Sequence, residues 1–127
     1  MRRWKVYDGK VFTEDEYCGV EQSYVDFVLG VCKLQGIDHL AITGLENYKK
    51  LHWINGQQLK ADQSREFIKL CLREEIWGRL VSKGFVFETG WDYYILIGCE
   101  LGFDEVKQLA RQNNLFVEEW DQILTEQ

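Results

Sequence analysis

The 127 residues of this chain suffice for one compact domain and are too few for two comfortable cores, while 46% hydrophobic and 14% aromatic residues supply that core without a disulfide or metal staple. Fifteen Lys and Arg against 21 Asp and Glu give a formal net charge of -6. That balance argues against nucleic acid or an anionic membrane as the main partner and leaves a basic partner, or none that is charged. The cysteines Cys18, Cys32, Cys71 and Cys99 form no CxxC pair, the opening MRRWKVYDGK has no apolar run behind its charges, and no window has the length of a membrane span. The expectation is a cytoplasmic protein with reduced thiols, no disulfide framework and no cofactor.

In chain order, residues 3–13 (RWKVYDGKVFT) hold two β-favouring runs joined by Asp8-Gly9, a dipeptide that tolerates the positive φ of a tight turn. The reading is a β-hairpin, followed by an exposed acidic link at Glu14, Asp15 and Glu16. Ser23 opens an amphipathic helix in which Tyr24, Phe27, Val28, Val31 and Leu34 recur at intervals of three or four until Gly36 stops it. Residues 37–45 (IDHLAITGL) have the composition of a buried strand. Residues 46–60 mix large apolar side chains with the turn dipeptide Asn55-Gly56, so a loop with a brief turn or strand is expected, packing as a lid or facing a partner.

Asp62 or Ser64 can cap a long helix predicted to reach about Lys83, with Phe67, Leu70, Cys71, Trp77 and Val81 on one stripe and Gly84 as its cap. On that helix Arg73 and Glu74 would pair with each other. Residues 85–88 and 91–98 read as two strands around Thr89-Gly90, the second apolar on both faces and therefore central. A short helix over 103–113 and a last strand at 115–120 (LFVEEW) precede a polar tail at 121–127. Hairpins demand antiparallel pairing, so the fold class is α+β: a two-layer sandwich with a mostly antiparallel sheet and about three helices packed mainly on one face, a mixed sheet being the fallback.

No stretch carries a catalytic signature. His39 and His52 lack a neighbouring nucleophile or ligand spacing, and Gly98-Cys99-Glu100-Leu101-Gly102 has no phosphate-loop lysine. Glu88 and Asp92 flank a turn and could form a carboxylate pair for acid and base work, although turn chemistry alone explains acidic residues there. Two surface groups remain. Aromatic Trp53, Trp91 and Tyr94 have the composition of an interface anchor, and acidic Glu88, Asp92, Glu118, Glu119 and Asp121 could steer a basic partner.

Through REEIWGRL, GWDYYILIG and LFVEEW the chain resembles the small acidic immunity proteins found beside bacterial polymorphic and contact-dependent-inhibition toxins. The resemblance covers roughly residues 73–120 and rests on aromatic and acidic character. It implies a non-enzymatic module that binds a cognate toxin, often a basic nuclease, and blocks its active site. Two other readings stand beside it: a small-molecule binding domain or hydrolase-like enzyme using Glu88 and Asp92, and a homo-oligomeric structural protein.

Overall fold

The computed structural model describes residues 2–8, 14–47, 49–90 and 94–119. Its strands are β1 (Arg2–Tyr7), β2 (His39–Glu46), β3 (Gln58–Lys60), β4 (Trp77–Ser82), β5 (Phe85–Thr89), β6 (Tyr94–Cys99) and β7 (Phe116–Glu119). They form one sheet in the order β3-β2-β4-β5-β6-β1-β7 with every pairing antiparallel. Three α-helices, α1 (Glu14–Gln35), α2 (Arg65–Leu72, entered through a 3-10 turn at Ala61–Ser64) and α3 (Phe103–Gln112), complete an α+β two-layer sandwich.

Strand alternation decides which side chains meet the helices. Trp4, Ile97, Phe87, Leu80 and Ile42 stand abreast on β1, β6, β5, β4 and β2, and none of them is exposed. Trp4 stacks on Phe103 of α3 with ring centroids 5.3 Å apart, which identifies this face as the helix-bearing one. Against it α1 buries Tyr24, Val25, Phe27, Val28, Val31 and Cys32, and α2 buries Phe67, Ile68, Leu70, Cys71 and Leu72. Gly30 lets α1 and α3 close in, because a Cβ there would come within 2.8 Å of Leu109 Cδ1.

The helix expected to run to about Lys83 ends at Leu72, and the following residues form β4 instead. Glu74 takes a left-handed φ of 59° and turns the chain away without the glycine that usually announces such a stop. From Ile76 to Ser82 the residues satisfy two periods at once. Trp77 and Val81 fit the helical stripe of α2, yet Ile76, Gly78 and Leu80 also alternate inward as a strand. Sheet pairing on both sides of β4 settles the conflict. Gly84, at φ 71°, is then the turn of the β4–β5 hairpin, not a helix cap.

The expected N-terminal hairpin is also corrected. Residues 9–13, which hold its second strand, lie outside the described residues, but from Trp4 to Tyr7, where the hairpin would pair, β1 is bonded by β6 on one edge and β7 on the other. A strand has only two edges, so none remains for a hairpin partner. The helix predicted from Ser23 begins nine residues earlier, at Glu14, so the segment read as a link belongs to the helix backbone.

Residues 47 and 49–57 form the lid. Asn47 accepts from Leu51 N and donates to the carbonyls of Leu51 and Trp53, while Asn55 Oδ1 accepts from Leu45 N. The lid thereby holds Trp53 edge-on to Phe67 at 5.4 Å.

Cys32, Cys71 and Cys99 are free and buried. Burial pushes the Cys32 and Cys71 thiols up from 9.0 to about 12, outweighing a backbone hydrogen bond to each that acts in the opposite sense. Unfolding restores their ordinary acidity, so above pH 9 the unfolded chain loses protons that the native one keeps, and stability falls as pH rises toward 12. We expect a thiol reagent at pH 8 to leave Cys32 and Cys71 unmodified in the native protein and to label both in denaturant, as mass spectrometry of the peptides would read.

Candidate functional site

The sheet face turned away from Trp4, Phe87 and Leu80 is organised in three rows that cross the strands. In the first, Phe116, Tyr7 and Tyr94 stand abreast on β7, β1 and β6. In the second, Glu118, Lys5, Leu96 and Glu88 cross β7, β1, β6 and β5, and Glu88 continues to Arg79 of β4 through a hydrogen bond of 3.0 Å from Nε. The third carries Arg3, Gly98, Val86, Val81, Ala41 and Gln58. The rows are thus aromatic, charged, and mostly small or apolar.

Each row is held by local geometry. Phe116 stacks on Tyr7 at 5.8 Å and remains 57% exposed. Lys5 Nζ lies 4.5 Å from the Tyr94 ring centroid, 5.5 Å from that of Tyr7 and 3.8 Å from Glu118 Oε1. Gly90 is required beneath Tyr94, since a Cβ at that position would collide with the Tyr94 ring. At the other end Arg79 lies 5.0 Å from the Trp77 ring and close over Gly44, which sits at φ 59° where β2 bulges between Thr43 and Glu46. Any side chain at Gly44 would meet Arg79 Nη1 at 2.8 Å.

Of the residues singled out from the sequence, Glu88, Tyr94 and Glu118 come together on this face. Glu119 points to the opposite side beside Trp4, where it pairs with Arg2 at 3.0 Å. Trp53 is placed in the core at 6% exposure, so it offers no surface anchor. Trp91, Asp92 and Asp121 lie outside the described residues. Glu88 is 6% exposed and accepts a hydrogen bond from Arg79 Nε, so burial leaves it little access to a substrate. His39 is exposed at the start of β2, and His52 is exposed on the lid with its ring 4.2 Å from Trp53.

Phe116, Tyr7, Lys5, Trp77 and Arg79 were not singled out from the sequence. The alternation in RWKVY and FVEE could have placed Lys5 with Tyr7 and Phe116 with Glu118 on single faces, but bringing the two segments side by side needed the strand order. Among the described residues no group of three His, Cys, Asp or Glu could hold a metal ion, and no helix is long and apolar enough to cross a membrane. A groove of about 590 Å³ between the end of α1, the start of β2 and the 3-10 turn is lined by Leu29, Cys32, Ile37 and Ala61 with Lys33, Asp38, His39, Lys60, Asp62 and Arg65. Cys32, the thiol in its lining, is buried, and burial pushes that thiol up to about 12. No protein-family model matches the chain, and no curated protein or solved structure shows a significant match to it.

Proposed function

We propose that this protein is a non-catalytic binding module that neutralises a basic protein partner, with the sheet face opposite the helices as its docking surface, in the manner of an immunity protein for a bacterial toxin. The observation that carries the reading is the aromatic row Phe116, Tyr7 and Tyr94 set beside a row of carboxylates and their cations. Aromatic side chains supply contact area at small entropic cost, and ring edges rimmed by charge have the composition of interface hot spots. The net charge of -6 adds long-range attraction for a basic partner, speeding encounter in a salt-dependent way.

Co-expression with the product of the adjacent gene, followed by copurification, tests the reading. The expected result is a complex whose association slows as salt rises, and whose Kd weakens by roughly 100-fold in the double variant Phe116→Ala, Glu118→Lys. Both positions are exposed, so the variant should keep the wild-type unfolding midpoint. A neighbouring product that is neither toxic nor bound would sink the idea, as would undiminished binding by the double variant.

A further inference from the structure

Two cations of the docking face each meet a carboxylate, and a third does not. Lys5 lies 3.8 Å from Glu118, and Arg79 donates from Nε to Glu88 at 3.0 Å. Arg3 stands on the same face, two residues before Lys5 and directly across from Gly98, which has no side chain to meet it. It enters none of the ion pairs among the described residues, and its Nε is shut away from solvent without a hydrogen-bond acceptor. A donor in that position has lost its hydration and gained nothing in return, and the penalty is larger when the group is charged.

We infer that Arg3 is the receptor for an acidic side chain of the protein partner, so that a partner basic overall presents a carboxylate to this end of the face. A carboxylate is the fitting ligand because its two oxygens match the planar fork of guanidinium donors, an arrangement that Arg73 and Glu21 already make in this chain through two hydrogen bonds. Turning the Nε edge of Arg3 toward an incoming carboxylate breaks no hydrogen bond of that nitrogen, since it makes none. The placement also sets orientation. Glu118 calls for a cation and Arg3 for an anion, so a partner docked the wrong way round opposes like charges at both positions.

The inference rests on the proposed docking face for the identity of the partner, but the site can be tested without it. N-acetyl-glutamate α-amide, whose only charge is its side-chain carboxylate, is titrated into the protein at constant ionic strength while the arginine Nε–Hε resonances are followed by NMR. Arg73 and Arg79, whose Nε–H groups donate to carboxylates, supply the reference shifts. In the free protein Arg3 Hε should resonate upfield of both, and the probe should move it toward them with half-saturation at about 10–100 mM. The neutral analogue N-acetyl-glutamine amide should leave it in place. Arg3→Met should weaken the complex with the partner about tenfold while keeping or raising the unfolding midpoint, because an apolar side chain replaces a guanidinium that has no acceptor. Arg3→Lys, which keeps the charge and loses the fork, should retain only part of the affinity. The inference is overturned if Arg3 Hε already lies with those of Arg73 and Arg79 in the free protein, if the probe shows no saturable shift, if the neutral analogue acts equally, or if Arg3→Met lowers the unfolding midpoint. Probe binding without capture of the neighbouring gene product would retain the carboxylate site and remove the partner reading; capture undiminished in Arg3→Met would retain the partner reading and overturn the inference.

Discussion

Phe67→Ala is expected to cost about 3–5 kcal/mol of unfolding free energy, a large part of what a domain of this size possesses. Phe67 is fully buried on α2, holds the Trp53 ring of the lid edge-on at 5.4 Å, and reaches the sheet at Gly78, where a Cβ would meet its Cζ at 3.1 Å. One side chain therefore joins helix, lid and central sheet, and its removal leaves a cavity that three different elements would have to close. Urea unfolding of Phe67→Ala and Phe67→Leu measures this, the leucine variant losing much less because it fills most of the volume. Gly78→Ala offers a second check. Alone it should destabilise, since Phe67 must yield to the new methyl, and in the Phe67→Leu background the cost should shrink. Equal costs in the two backgrounds would show that Phe67 and Gly78 are not packed as described.

The second large effect is expected at Arg73. Its Nε and Nη2 donate to the two oxygens of Glu21 at 2.9 and 2.7 Å, and the Glu21 side chain is only 4% exposed. The hydrogen bond and charge of Glu21 raise the Arg73 guanidinium further above its ordinary value, so Arg73 keeps its charge. Arg73→Met strands a buried carboxylate. The expected cost is about 2–3 kcal/mol, below the figure for a fully enclosed pair because water reaches the Arg73 side of the bridge. Glu21→Gln in the same chain should recover part of the loss by removing the stranded charge, giving a coupling energy above 1 kcal/mol in a double-mutant cycle. Additive losses would mean that the bridge contributes nothing in solution. The bridge matters to the architecture because it fastens the C-terminal end of α2 to α1, while Arg65 and Asp26, 3.2 Å apart, fasten the other end. The second link is exposed and should be worth only a few tenths of a kcal/mol.

Arg73 also marks where local reading failed. Arg73 was expected to pair with Glu74 on an unbroken helix, because neither has a glycine or proline beside it and the apolar stripe runs on through Trp77 and Val81. Gly78 was the available warning. A glycine in mid-helix costs about 1 kcal/mol against alanine, whereas in a strand beneath a phenylalanine it is required by contact. The β-rich half from Phe85 onward was read closely, because Thr89-Gly90 and the turns at Gly102 and Asn113-Asn114 punctuate short elements whose alternation has only one interpretation.

For the candidate site the division is sharper. Glu88, Tyr94 and Glu118 were legible as aromatic and acidic residues at strand positions, and all three reach one face. Trp53 was legible only as a large aromatic residue in a loop, and nothing local distinguishes a lid that packs inward from one that faces a partner. The amide network of Asn47 and Asn55 makes that choice.

The sequence by itself determined that the chain is an acidic α+β domain, with antiparallel strands punctuated by glycine turns and helices that each need a surface to bury against. Periodicity and composition are local properties, and they suffice for that much. Only the tertiary structure decided that residues 77–82 are a strand, that β1 lies between β6 and β7, and that Tyr7, Tyr94, Phe116, Lys5 and Glu118 share one patch. Those outcomes depend on which strands pair. Pairing follows from the summed burial of the whole inner face and from closing every backbone hydrogen bond, quantities that belong to the assembled sheet and to no segment of the chain.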